Sequence, residues 1–268
     1  LWGLTYGSNS LHTRKRRTRG VVMKLPKKVT GVVFYEGPSM LNGERIVGIM
    51  LFSSSNDKTG NMAQILYLVV DESPVDAIKS GADEAICGKC VHRGTSCYVT
   101  VFQSPLSVWK SYHKGNYPVV SVAECCELIE QRGLEVRFGA YGDPASVPTD
   151  ITLAQASVAN TITGYTHQWM HKKFDPALLD VCMVSVDNKK QIKHVERATG
   201  RKDARYYRVT TDISDIDVGE VACPHYDTGI QCKACGLCDG SRRDFASIVV
   251  EVHGSSAKIN SFNLIAKA

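Results

Sequence analysis

Apolar, β-branched and aromatic residues gather in three short runs near the start of the chain, at 31–35, 45–52 and 65–70. Each run is bounded by polar, turn-forming residues, a pattern that predicts strands. The stretch 36–44 carries Gly37-Pro38 and Asn42-Gly43, and Asn-Gly between two apolar runs predicts a hairpin, hence antiparallel sheet. The second intervening loop, 53–61, is polar and contains Gly60. It lacks the Gly-x4-Gly-Lys-Ser/Thr spacing of a phosphate cradle, so it reads as an ordinary connection.

Beyond about residue 97 the rhythm changes. Strand pattern at 98–103 is followed by helical pattern at 106–113 and 122–132, then strand at 134–141, helix at 149–159 and strand at 162–167. Strand at 181–187, helix at 189–199, strand at 205–210 and short strands at 218–222 and 248–252 complete the series. Strands alternating with amphipathic helices predict parallel βαβ units. The expected fold is α/β: a small antiparallel β-rich region, 23–96, precedes a βα-repeat region, 97–268, that builds a partial or complete (β/α) barrel-like parallel sheet. An open doubly wound sheet shares this pattern and stays open as an alternative.

In either parallel fold the functional edge is the one where strands end. There the sequence places Asp143, His167 with Trp169, Asp187, Asp212 and Cys223 after five successive strands. Turn chemistry alone accounts for aspartates at such positions. It does not ask for His167, Trp169 or Cys223. Asp143, His167 and Asp187 are therefore the candidate catalytic groups. Tyr165 and Trp169 are candidates for stacking on a planar ligand. Arg137, inside a strand beside Glu135, is either a ligand-binding guanidinium or half of a structural ion pair.

The strongest chemical signal is cysteine. Of ten cysteines, seven fall in two clusters, Cys87-x2-Cys90-x6-Cys97 with His92 embedded, and Cys223 followed by Cys232-x2-Cys235-x2-Cys238. Two-residue gaps aim adjacent thiolates at one ion, which in a reducing compartment points to metal rather than disulfides. Zinc would be satisfied by Cys87, Cys90, His92 and Cys97 in one site and by the four later cysteines in another. The later run equally fits an iron–sulfur cluster. A third arrangement pools both regions into one site, which requires the 71–97 segment to wrap round to the other end of the sheet. Cys125, Cys126 and Cys182 sit in helical or apolar strand pattern and read as packing residues.

Composition narrows the partners. Hydrophobic residues make up 43% and charged residues 22%, ordinary globular usage that excludes wholesale disorder. Lys+Arg number 32 against 27 Asp+Glu, but five of the basic residues (Arg14, Lys15, Arg16, Arg17, Arg19) stand in the first 22 positions, where no acidic residue occurs. From Met23 onward the charges balance, which weakens a nucleic-acid reading of the whole chain. The basic leader, 1–22, is expected to stand outside the fold, with translation starting at Met23. No apolar run approaches the roughly 18 residues of a membrane-spanning helix, so no membrane partner is expected.

Several of these segments recur together elsewhere. Val33-Phe34-Tyr35-Glu36-Gly37-Pro38-Ser39-Met40-Leu41, the loop 57–61, Gly81-Ala82-Asp83 before Cys87-x2-Cys90, and Cys97-Tyr98-Val99 resemble an uncharacterised domain family frequent in tailed-phage genomes. So do Tyr141-Gly142-Asp143-Pro144-Ala145, the segment 164–169, Ser185-Val186-Asp187 and the terminal Cys-Pro…Cys-x2-Cys-x-Leu-Cys-x-Gly pattern ending at Gly240. The resemblance covers about 32–240 and departs from the family pattern at 223–229 and 202–207. It implies the cytoplasm of an infected bacterial host and transfers no activity.

Two functions follow as expectations. One is a metal- or iron–sulfur-binding enzyme acting on a small molecule, possible redox chemistry included. The other is a zinc-stabilised accessory protein that binds nucleic acid or a host protein.

Overall fold

The structure is a computed structural model and describes residues 28–267. The basic leader lies outside the described residues. Strands β1 (Gly31–Pro38), β2 (Arg45–Leu51) and β3 (Ala63–Val69) form the antiparallel opening that the turn residues predict. All seven residues of β3 are buried, as befits a strand covered on both faces. β3 then pairs in parallel with β4 (Val136–Tyr141), so both regions share one sheet. Outward from β4 come β5 (Ile162–Thr166), β6 (Met183–Val186), β7 (Tyr206–Thr210) and β9 (Ser247–Glu251), all parallel. β8 (Glu220–Ala222) adds to the far side of β9.

The strand order separates the two α/β alternatives. From β3 to β7 each new strand adds on the same side as the last. A doubly wound sheet reverses direction in the middle, whereas a barrel does not. The nine-stranded sheet is thus wound in barrel order but ends at β1 and β8. Right-handed crossovers repeated in one direction bring successive helices to the same face.

The core clusters agree with that placement. Val136, Phe138 and Ile162 pack with Cys125, Leu128 and Ile129 of α4 (Val122–Arg132) and with Ile151 of α5 (Thr149–Ala156). Val184 and Val186 pack against Val195 of α6 (Lys189–Thr199). Alternate residues point the other way. Registers run Arg137 to Thr163, Tyr165 to Met183, and Ser185 to Tyr207 to Ile248, so these share the inner face. Met183, Ile248 and Val250 form a smaller cluster there with Cys223, Tyr165, Tyr207 and Cys238.

Local signals account for the helix limits. The Ser121 hydroxyl and the Glu124 carboxylate cap α4 reciprocally, and Gly133 closes it in the left-handed conformation. Asn188 caps α6 by accepting from the Gln191 N–H at 3.1 Å. Three further helices, α1 (Pro74–Ser80), α2 (Glu84–Cys87) and α3 (Ser104–His113), lie with α4 in the connection between β3 and β4, and α9 (Ser256–Lys267) follows β9. Two single-turn helices, α7 (His225–Thr228) and α8 (Cys232–Cys235), carry the late cysteine region.

One expected strand does not form. Residues 98–103 are irregular. The Val99 N–H donates to the Cys97 sulfur, and the Lys258 ammonium of α9 donates to the Tyr98 and Val99 carbonyls at 3.1 and 3.5 Å. The backbone groups that a sheet neighbour would need are engaged elsewhere.

Candidate functional site

β4, β5 and β6 are adjacent and parallel, so the residues that follow them meet at one edge. Asp143, buried after β4, accepts the Thr166 hydroxyl at 2.8 Å and the His167 N–H at 2.7 Å, and also the Ala145 N–H at 3.0 Å. Burial pushes its carboxyl up to about 6, although all three donors pull the other way. With its oxygens so occupied, Asp143 locks the end of β4 to the end of β5 and fixes the backbone of His167.

His167 faces Asp187 from the next strand end, Nε2 standing 4.0 Å from Oδ1. A second imidazole reaches the same carboxylate: His92 Nε2 lies 2.7 Å from Asp187 Oδ1. Its Nδ1 is 2.6 Å from Ser96 Oγ, and its ring stacks on Phe262 of α9, centroids 5.7 Å apart. His92 therefore turns to the strand ends and not to the neighbouring thiols, contrary to the four-ligand zinc arrangement with Cys87, Cys90 and Cys97. Gln191 holds the other oxygen of Asp187 through a 3.1 Å bond from Nε2.

Burial dominates the His167 ring and lowers it to about 4, which keeps the imidazole neutral and a lone pair exposed. For Asp187 burial acts upward, but the His92 hydrogen bond, the two imidazoles and Gln191 outweigh it, and the carboxyl ends below its ordinary value. His92, His167 and Asp187 offer ligand atoms that all lie within 4.8 Å of one another.

The first cysteine cluster hangs over this edge. β3 runs parallel to β4, so the chain leaving β3 through α1 and α2 emerges at the strand-end side. Asp143 N–H donates to the Ile86 carbonyl at 2.7 Å, and Gln168 Nε2 donates to that of Cys87 at the same distance. The Gln168 amide fills the space that a Cβ on Gly88 would need, and Gly88 has φ of 52°, so only glycine suits this point. Arg93 staples the loop from its far side, forking onto both oxygens of buried Asp83 at 2.7 and 3.1 Å and reaching the Gly88 carbonyl at 2.5 Å. Cys90 accepts the His92 N–H, and Cys97 accepts that of Val99. Burial raises all three thiols, Cys90 to about 12, and neighbouring Cys90 and Cys97 add to the rise at Cys87. A cation among such thiols would favour their ionised form.

The second cluster occupies the inner face. Cys223, Cys232, Cys235 and Cys238 line one cavity with Ile162, Thr163 and Ile248. Cys223 continues the β8 ladder, its N–H donating to Val249 at 2.9 Å. The loop 53–61 supplies the support for α8: the Asp57, Lys58 and Thr59 carbonyls accept from the Gln231 side chain at 2.9 Å and from the Cys232 and Lys233 N–H groups at 2.9 and 3.3 Å. From the other side Arg205 donates to the Leu237 and Asp239 carbonyls, both at 2.7 Å, and to that of Ala246. Burial pushes Cys238 up to about 12, with the other three thiols contributing to the rise. Among the described residues no three of these sulfurs lie within 4.8 Å of one another. A tetrahedral zinc, with Zn–S near 2.3 Å, would need edges of about 3.8 Å. In a four-iron, four-sulfide cluster each thiolate binds a different iron, and a wider set of sulfurs fits.

The two cysteine groups stay apart. Tyr165 and Tyr207 meet with their ring centroids 4.3 Å apart and their planes tilted by 45°, and Arg137 lies beside them, its guanidinium donating to the Tyr98 hydroxyl. No carboxylate pairs with Arg137 among the described residues, so the Glu135 ion pair does not form; Glu135 meets Lys233 instead at 3.5 Å. Trp169 is buried in the helix-side core and donates its indole N–H to the Ser185 carbonyl at 2.9 Å. Its ring face is closed to a ligand, a correction to the stacking role expected from the sequence. Cys125 and Cys182 are core residues and Cys126 is half-buried. His225, on the cavity rim, is tied to the Ile230 carbonyl at 3.0 Å. Among the described residues no helix is long and apolar enough to cross a membrane. Comparison of the chain with protein-family models, curated proteins and solved structures finds no match.

Proposed function

We propose that the protein is a metal-binding enzyme of phage origin, with an iron–sulfur cluster held by Cys223, Cys232, Cys235 and Cys238 and a reaction site at the strand ends. The observation that carries this reading is the convergence of those four thiols on one cavity, where burial and the neighbouring thiols push Cys232 and Cys238 up. Their wide spacing favours a polynuclear cluster over a single zinc. When bound, such a cluster supplies one-electron chemistry. His167 and Asp187 then form the reaction site, with Asp143 fixing the backbone of His167, and Arg137, with Tyr165, faces the same inner surface as the four thiols, suited to a small anionic substrate. The resemblance to a tailed-phage family supports a setting in the cytoplasm of an infected bacterium.

Anaerobic purification followed by iron, sulfide and zinc analysis and a visible spectrum tests this. The reading expects iron and sulfide in matching amounts and a brown protein. A colourless protein with stoichiometric zinc removes the cluster and leaves the zinc-stabilised alternative. A folded protein free of both metals removes both.

A further inference from the structure

The His92, His167 and Asp187 side chains come from three separate parts of the chain, and none is explained by the cysteine groups. We infer that they form a mononuclear divalent-metal site of the two-histidine, one-carboxylate kind. This deepens the proposed reaction site and rests on it, while being independent of what the cysteines hold.

Four observations support it. Cis ligands with bonds near 2.1 Å stand about 3 Å apart, and the two Asp187 Oδ1 separations, 2.7 Å to His92 and 4.0 Å to His167, bracket that value. Seating an ion there replaces the hydrogen bond between His92 and Asp187. Second, the supporting contacts match those of metal ligands: Ser96 at His92 Nδ1, Gln191 at the distal oxygen of Asp187, and the Asp143 carboxylate on the backbone N–H of His167. Third, the His92 and Asp187 side chains are each about 10% exposed while that of His167 is 32% exposed. Closure on one side and access on the other leave room for water or an oxygen-donor substrate at the remaining positions. Fourth, Phe262 covers the outer face of the His92 ring and excludes water from that side.

The donor set selects among metals. Imidazole and carboxylate with open positions suit iron(II), and manganese(II) is accepted by the same geometry. Manganese binds thiolates poorly, so it reports this site apart from the cysteines. The test is titration of the anaerobically purified full-length chain with Mn²⁺, followed by electron paramagnetic resonance. We expect one Mn²⁺ per chain in the wild type and in Cys235→Ser, and none in His167→Gln or Asp187→Asn. Ser96→Ala should bind about 10- to 100-fold more weakly. Circular dichroism confirms that each variant is folded; should Asp187→Asn fail, the partly exposed His167 decides. No Mn²⁺ binding by the wild type, or binding untouched by His167→Gln, overturns the site. Iron and sulfide content, measured on the same samples, reports separately on the cysteine-bound cluster.

Discussion

Arg205 offers the sharpest test of how the late cysteine turn is held. Its side chain is buried and pairs with no carboxylate among the described residues, spending its donors on the carbonyls of Leu237, Asp239 and Ala246. Burial, with a further push from Arg243, pulls the guanidinium down from its ordinary value, so the charge is retained at a desolvation cost. Each hydrogen bond to a charged group contributes roughly 1.5–3 kcal/mol, and removing the charge returns part of that sum. Arg205→Ala should therefore destabilise the fold by about 3 kcal/mol, a fall in melting temperature of roughly 6–12 °C for a chain of this size. Arg205→Lys keeps the charge but loses the planar fork, and should lie between. Urea titration gives the free energy. Iodoacetamide labelling followed by mass spectrometry tells whether Cys238, in the clamped turn, has become reactive. A loss below about 1 kcal/mol with unchanged labelling would refute the clamp.

The Arg208–Glu220 pair is closed to solvent, with side-chain exposures of 2% and 0% and contacts at 2.6 and 2.7 Å; Glu220→Gln should cost about 3 kcal/mol, because it leaves the buried guanidinium only the more distant Asp215 carboxylate, at 3.6 Å. Burial raises the Glu220 carboxyl, but Arg208 and the Asp217 N–H overcome that and leave it below its ordinary value of 4.5. Its contribution is thus present above that value and is lost as pH falls through the lowered one; denaturation midpoints at falling pH should drop more steeply in the wild type than in Glu220→Gln, and parallel curves would dismiss the linkage. Trp169→Phe should lose ~2 kcal/mol, from the stranded Ser185 carbonyl and the smaller ring, and a variant as stable as the wild type would count against the indole being core. Gly88→Ala forces Gln168 out of its seat and strains a left-handed residue; a loss of about 1–3 kcal/mol with faster alkylation of Cys87 is expected, and unchanged kinetics would remove the seat.

Most of the sheet was legible because periodicity and turn residues act locally. The Asn42-Gly43 hairpin, the α4 and α6 boundaries and the strand ends bearing Asp143, His167 and Asp187 all follow from neighbouring residues. What escaped depends on distant ones. The turn of His92 toward Asp187 requires that β3 run parallel to β4, which its own sequence does not disclose. The loop 53–61 reads as an ordinary connection, because it supports α8 through backbone carbonyls, and carbonyls carry no residue signature. Residues 98–103 have strand composition, yet a strand needs a neighbour with free backbone groups. Trp169 beside His167 reads equally as a ligand platform or as core, and only the direction of its ring decides.

The bond from Gln231 to the Asp57 carbonyl joins residues 174 positions apart, and that span orders events in time. A ribosome delivers the cradle for α8 long before the cysteines that will use it. Their turn also waits on β6 and β7, since Gly240 packs directly against the Val181 and Cys182 backbone. A cluster held as proposed is thus gripped only once Cys238 has been released, and a nascent or truncated product would offer solitary thiols to oxidants throughout that interval.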